Sequence, residues 1–366
     1  MKTRDKATHI GQIFLELTNV CNMDCVFCAN SRMMRRKQFM EFSLAKKLID
    51  EIADKGIAKR IAFFLMGEPL LHPQVFEILK YAAERKLQVT LNTNGALLNQ
   101  ENIGQLLEIA LETILVSLQI STPEDFSLKR PHANLSFQKY IGGIKQLLER
   151  KSQQNSRTNL TILFMDPRFN LAQFFLNGLN TLKIDFDKNK LSLLSFDLAK
   201  TVGDNIRSKN RLSLKAEQIS AEFKRFVLGN YKKRISDNID FVYGGIHNWG
   251  DSIFGKPIMQ AAFGSCNALR EQFAVLSNGD YSLCCKDYNG ELVIGNAYRQ
   301  NILEILNSPK AKRIKSNFRH CRLSFRRCQL CRGGINIFDV MTKEIFSSVV
   351  YNAPIVLRFF RALVLR

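Results

Sequence analysis

The chain has 366 residues, 46% hydrophobic and 23% charged, an ordinary globular balance that allows one large core or two domains. No apolar run reaches the ~18 residues of a spanning helix, and the polar start MKTRDKATHI lacks the apolar stretch of an export signal, so a cytoplasmic protein is expected. The formal charge is +20, and Arg299 to Arg366 holds 14 Lys or Arg against 3 Asp or Glu; this suits an anionic partner (nucleic acid, a phosphorylated metabolite or an anionic membrane) or simply a solvated basic face.

From residue 10 to about 200, strand and helix patterns alternate. Strands are expected at 10–17, 60–65, 88–92, 113–118, 159–164 and 191–196. Helices are expected at 44–55, 75–86, 99–111, 137–150 and 172–182. Six strands with helical connections predict a parallel α/β sheet or partial barrel, whose sites gather at the C-terminal ends of the strands. Beyond residue 200 the pattern breaks. An amphipathic helix is expected at 212–231, then a Gly-rich loop YGGIHNWGD at 243–251. Two strand-like runs between Phe273 and Ile294 flank Asn278-Gly279, a hairpin signal. Residues 301–316 read as helix, with the last cysteines in a loop behind it.

Nine cysteines fall in two sets, three between 21 and 28 and six between 266 and 331. Without an export signal, such clustering favours metal ligands over disulfides. Cys21, Cys25 and Cys28 follow the first strand, spaced three residues and then two, with the aromatic Phe27 before the third. Three thiolates on one tight loop can hold three corners of a cubane cluster and leave the fourth iron open. A zinc loop would want a fourth local Cys or His, and none follows closely.

This arrangement resembles the radical S-adenosylmethionine (SAM) superfamily, and further residues follow that family's order. Met66-Gly67-Glu68-Pro69 comes after the second strand and resembles the Gly-Gly-Glu-Pro segment that holds the SAM amino group, with Met66 in place of the first glycine. The third strand ends in Asn92-Thr93-Asn94-Gly95. The fourth ends in Ser117-Leu118-Gln119, where relatives often carry an acid in place of Gln119. The resemblance therefore implies Phe27, Gly67, Glu68, Pro69, Asn94, Ser117 and Gln119 as SAM-binding positions. It also implies a partial (β/α)6 TIM-like barrel.

Cys266, then Gly279 and Cys284, resembles the opening of the SPASM or shorter twitch auxiliary domain, which Cys328 and Cys331 would close. These four imply one fully ligated auxiliary 4Fe-4S cluster, with Cys321 as a candidate extra ligand and Cys285 as a small buried hydrophobe on the opposite strand face. Half a zinc ribbon is the competing reading of Cys328-x-x-Cys331. The domains expected are a barrel over 1–235, a small cysteine-rich auxiliary domain with a hairpin and C-terminal helices over 236–335, and a basic amphipathic tail over 336–366.

The resemblance implies two 4Fe-4S clusters and SAM as cofactors. One cluster cleaves SAM reductively to a 5′-deoxyadenosyl radical that abstracts a substrate hydrogen atom. The other accepts an electron, as in relatives that oxidise aminocyclitols. An external donor such as flavodoxin or ferredoxin is implied. Only about ten residues precede the first strand, which argues mildly against a leader-dependent peptide maturase. Oxidation or epimerisation of a sugar-like or small anionic substrate is therefore expected, with modification of a ribosomal peptide side chain as the alternative. Nucleic acid fits less well, because RNA-methylating relatives generally lack the second cysteine set. The loop around Trp249 reads either as a sugar-stacking wall or as a plug at the domain junction. The basic, apolar C-terminus with Arg358, Arg361 and Arg366 reads either as a helix docked on the barrel or as a peripheral contact with an anionic membrane.

Overall fold

The computed structural model describes residues 9–120, 122–132, 134–154, 156–165, 188–206, 231–244, 249, 258–334, 336–338, 340, 341 and 344. The first four strand–helix pairs follow the sequence pattern closely. They are β1 (Gln12–Leu15) with α1 (Phe42–Asp54), β2 (Arg60–Phe63) with α2 (Val75–Glu84), β3 (Gln88–Thr93) with α3 (Gln100–Glu108), and β4 (Thr113–Val116) with α4 (Phe137–Gln153). β5 (Asn159–Met165) comes next. All five strands pair in parallel in the order of the chain. In α1, Leu44, Ala45, Leu48, Ile49 and Ile52 form one buried stripe that shares a core with Ile13, Leu15, Ile61 and Phe63. Each such Leu or Ile removed from water contributes roughly 1.5–3 kcal/mol. Side-chain caps set the starts of α3 and α4, where Asn99 accepts from Asn102 N at 2.8 Å and Ser136 from Lys139 N at 3.2 Å.

The expected sixth strand at 191–196 is instead part of helix α5 (Lys188–Ile206). Leu191, Leu194, Leu198 and Val202 are buried at spacings of three and four, and Ser195 Oγ bonds back to Leu191 O at 2.8 Å. A run of six residues with four apolar among them fits either period, and burial of one helical stripe settles it here. The helix expected at 172–182 lies outside the described residues. So does the helix expected at 212–231, except that Tyr231 begins a strand. β6 (Tyr231–Ser236) and β7 (Ile239–Gly244) form an antiparallel hairpin, and β7 pairs in parallel with β5. β7 is thus the sixth parallel strand in the run from β1, and the boundary drawn at 235/236 falls within its hairpin.

The C-terminal hairpin forms as expected, from β8 (Gln272–Val275) and β9 (Asp280–Ser282), and β10 (Val293–Asn296) continues it. Gly279 sits in its turn at φ 81°, a conformation L side chains avoid. β8 also pairs in parallel with β1, Gln12 opposite Gln272 through Leu15 opposite Val275. Barrel and auxiliary region therefore share one ten-stranded sheet, β10-β9-β8-β1-β2-β3-β4-β5-β7-β6, open at both ends among the described residues. The helical stretch at 301–316 is two helices, α6 (Ile302–Asn307) and α7 (Pro309–Arg319). Ser308 and Pro309 divide them, because the residue before a proline leaves the helical region, and Ser308 then caps α7. The last cysteines are not in a loop. Cys328 and Cys331 stand three residues apart on α8 (Arg326–Arg332), on one face of it. No described helix is long and apolar enough to cross a membrane. The tail from 345 lies outside the described residues.

Candidate functional site

The loop after β1 carries Cys21, Cys25 and Cys28 and is fixed from several directions. Cys28 N donates to Cys25 O at 2.9 Å, which closes a turn between the last two cysteines. Asp24 N bonds to the carbonyls of Lys129 and Arg130, and Val26 N to Leu128 O, so the segment after β4 clamps the loop. Glu16, 0% exposed, holds Arg35 with a two-point ion pair at 2.7 and 2.8 Å and accepts from Ser277 N and Oγ at 2.9 and 3.0 Å. It ties the far end of the loop to the β8–β9 hairpin.

The three thiols are mutual electrostatic neighbours, and burial pushes Cys21 and Cys25 up to about 11 and Cys28 above its ordinary value. Donors point at two of the sulfurs: Asn94 Nδ2 lies 3.7 Å from Cys21 Sγ and Asn30 N 3.4 Å from Cys28 Sγ. Neighbouring thiols with N–H donors on sulfur suit the anionic thiolates of an iron–sulfur cluster.

Of the residues expected to bind SAM, Phe27 lies in this loop and Gly67, Glu68 and Asn94 touch it or the residues just before it. Gly67 is required by close packing, because a Cβ there would collide with the carbonyl oxygens of Thr18 and Val20. Its open space is filled by the cysteine loop itself. Glu68 is buried, and burial raises its pKa. Its Oε1 accepts from Thr93 Oγ1 at 2.7 Å and Leu70 N at 3.1 Å, and its Oε2 from Asn94 N at 2.6 Å. The carboxylate thus joins the ends of β2 and β3 and sets Asn94 beside Cys21. Pro69 opens the short 3-10 helix Pro69–Leu71 that Glu68 caps. Ser117 Oγ donates to Asn92 Oδ1 at 2.7 Å, and Gln119 turns the chain out of β4 at φ 47°. The Phe27 ring is buried, and its carbonyl accepts from Trp249 Nε1 at 3.0 Å.

Trp249 meets Tyr288 edge-on with ring centroids 6.4 Å apart, and its carbonyl accepts from Arg327, whose guanidinium lies 4.2 Å from the Tyr288 ring centroid. Arg327 precedes Cys328. Trp249 therefore links the first cysteine loop, through its indole, to the second set, through its backbone carbonyl, as a plug at the junction does.

In the second set, Cys266, Cys284, Cys328 and Cys331 come together from three segments of chain. Cys266 neighbours Cys331, Cys284 neighbours both, and Cys328 neighbours Cys266 and Cys331. Burial raises Cys266, Cys284 and Cys328 above the ordinary thiol value. Cys285 belongs to the same neighbourhood, with Cys331 and Cys266 beside it and its thiol pushed up to about 11 by burial. Its sulfur lies 3.7 Å from Gln272 Oε1 and packs with the buried Phe14, Ala62 and Ala274, on the face of β1, β2 and β8 opposite α1. Cys321 sits in the turn after α7 at φ 56°, and its carbonyl accepts from Gly264 N at 2.8 Å. Among the described residues no three Cys, His, Asp or Glu side chains close on a single ion.

Several of these contacts carry no local signal in the sequence. Lys129 sits in a polar stretch, SLKRPH, that reads as surface, yet it is fully buried. The Glu16–Arg35–Ser277 link joins residues 261 positions apart.

Residues 15–171 match the radical SAM superfamily, and residues 266–333 match an iron–sulfur cluster-binding domain, SPASM. The AdoMet-dependent heme synthase of Methanosarcina barkeri is 34% identical over 149 residues, 40% of this chain and 41% of that protein. The PqqA peptide cyclase of Bradyrhizobium diazoefficiens is 28% identical over 122 residues, 32% of each chain. The matched stretches thus span less than half the length of these curated relatives. The crystal structure of BtrN in complex with AdoMet and 2-DOIA superposes with a TM-score of 0.51 at 16% identity, covering 87% of this chain and 92% of BtrN, a likeness of fold. The chain belongs to the radical SAM superfamily, with a C-terminal SPASM domain, and its cofactors are SAM and 4Fe-4S clusters.

Proposed function

We propose that this chain is a radical SAM oxidoreductase of dehydrogenase or epimerase type, acting on a sugar-like or other small anionic substrate. Cys21, Cys25 and Cys28 hold the SAM-binding cluster, and Cys266, Cys284, Cys328 and Cys331 the auxiliary one. When bound, the first cluster and SAM supply a one-electron cleavage that yields a hydrogen-abstracting radical. The chain's own part is to hold, orient and shield. Glu68 and Thr93 fix Asn94 beside Cys21, and Gly67 lets the loop after β2 press on the cysteine loop. Ser117 and Gln119 border the same end of the sheet.

The observation that carries this reading is the pairing of β8 with β1. The first cysteines follow the C-terminal end of β1. Cys284 and Cys285 follow β9, level with the start of β8 at Gln272. The two sets therefore serve opposite ends of one strand pair, with the buried side chains of Phe14, Ala62 and Ala274 between them. A radical source at one end of this strand pair and a fully ligated electron acceptor at the other support oxidation. A low-potential donor such as flavodoxin or ferredoxin reduces the first cluster. The match to a PqqA peptide cyclase favours a second reading, a maturase that modifies a ribosomal peptide side chain.

Iron and sulfide per chain after anaerobic reconstitution test the cluster assignment. About eight irons, falling to about four in Cys21→Ala/Cys25→Ala/Cys28→Ala, are expected. Loss of all iron in that variant refutes two independent centres. The substrate class follows from 5′-deoxyadenosine formed above the substrate-free background, with aminocyclitols and anionic sugars set against precursor peptides. Stimulation by peptides alone overturns the first reading in favour of the second.

A further inference from the structure

Lys129 ends the short 3-10 helix Glu124–Lys129 and is 0% exposed. Its Nζ donates to Ser117 O at 2.6 Å and Leu118 O at 3.0 Å, and lies 5.4 Å from the centroid of the Tyr140 ring. Its electrostatic neighbours are Cys25, Cys21, Glu68 and Cys28. The backbone on either side is pinned to the cysteine loop, through Val26 N to Leu128 O and Asp24 N to the carbonyls of Lys129 and Arg130. A buried ammonium is costly unless its charge is matched. Two carbonyl dipoles and a ring face replace only part of its lost hydration. Glu68 is the one carboxylate among these neighbours, and its oxygens accept from Leu70, Thr93 and Asn94. The remaining neighbours are the three cysteines.

We propose that Lys129 is the fixed counter-charge of the iron–sulfur centre held by Cys21, Cys25 and Cys28, a positioning residue that stabilises the centre in its reduced state. A thiolate-bound cluster is anionic and gains one further negative charge on reduction, with the electron supplied by a low-potential one-electron donor and no bond made or broken. In a water-poor surrounding, a nearby cation lowers the energy of that added charge far more than it would in water. The same Nζ binds the two carbonyls at the exit of β4, so the charge is anchored to a strand end and does not move when the electron arrives. Two sequential carbonyl contacts and the loop clamp make this placement rigid.

The inference rests on the three cysteines being the ligands, which the iron content of their alanine variants tests separately. Its own test is an EPR-monitored redox titration of the reconstituted full chain. The SAM-responsive signal is followed for the first cluster, and the auxiliary signal serves as internal control. Lys129→Met is expected to shift the first cluster to a more negative midpoint potential and to leave the auxiliary cluster unchanged, while Lys129→Arg stays close to wild type. An unchanged first potential in Lys129→Met with iron retained overturns the proposal. If Lys129→Met loses the first cluster, Lys129→Arg decides. Iron retained with the wild-type potential shows that the charge is needed, and iron lost there too makes Lys129 a packing residue.

Discussion

The two cysteine sets reach similar ends by opposite routes. The first occupies eight consecutive positions on one loop, and distant residues serve only to hold that loop in shape. The second is gathered from a loop before β8, the end of a hairpin and one face of a short helix. Local spacing alone brings the first three thiols near one another. In the second set the β8–β9 hairpin brings the segments of Cys266 and Cys284 together, and the third joins them only when α8 packs against that hairpin. The first site is therefore robust to changes far away, whereas the second depends on contacts between segments.

The largest effect is expected from the ligands. Replacing Cys21, Cys25 and Cys28 with alanine should abolish SAM cleavage and leave about half of the iron, on the auxiliary set. Replacing Cys328 and Cys331 should remove the other half and leave SAM cleavage intact. If that second variant also loses SAM cleavage, the two regions are not separable, and the contrast between them fails. Glu16→Ala should be the most damaging change outside the ligands. It leaves the partly buried Arg35 with only its bond to Tyr288 O and cuts the bonds to Ser277, at a cost of about 2–4 kcal/mol in denaturant unfolding.

Gly67→Ala should cost about 1–3 kcal/mol, because the added methyl must displace the carbonyls of Thr18 and Val20, and iron should be lost from the first set before the second. Trp249→Phe keeps the ring but loses the bond to Phe27 O, for about 1 kcal/mol, read as a lowered unfolding midpoint. The smallest effect is expected from Cys285→Ala. Four thiolates already complete one cluster, so iron content should not change. A fall of about four irons in that variant would make Cys285 a ligand and redraw the second set.

Much of the fold is legible in the sequence where helix and strand periods are unambiguous. The stripe of Leu44, Leu48 and Ile52 and the alternation along Gln88–Thr93 admit one reading each. Leu191–Phe196 does not, because six residues can satisfy either period, and only burial of Leu191, Leu194 and Leu198 on one face makes it helix. The site divides in the same way. The spacing of Cys21, Cys25 and Cys28 and the turn at Gly279 are short-range facts, fixed by chain geometry. The ion pair of Glu16 with Arg35 and its bond to Ser277, the burial of Lys129, and the packing of Cys285 on the sheet face opposite α1 are not. Each joins residues brought together by strand pairing or by the packing of a distant segment. A sequence by itself determines what its neighbours along the chain impose; water exclusion and charge matching between distant segments arise only when the sheet assembles, and the tertiary structure alone decides them.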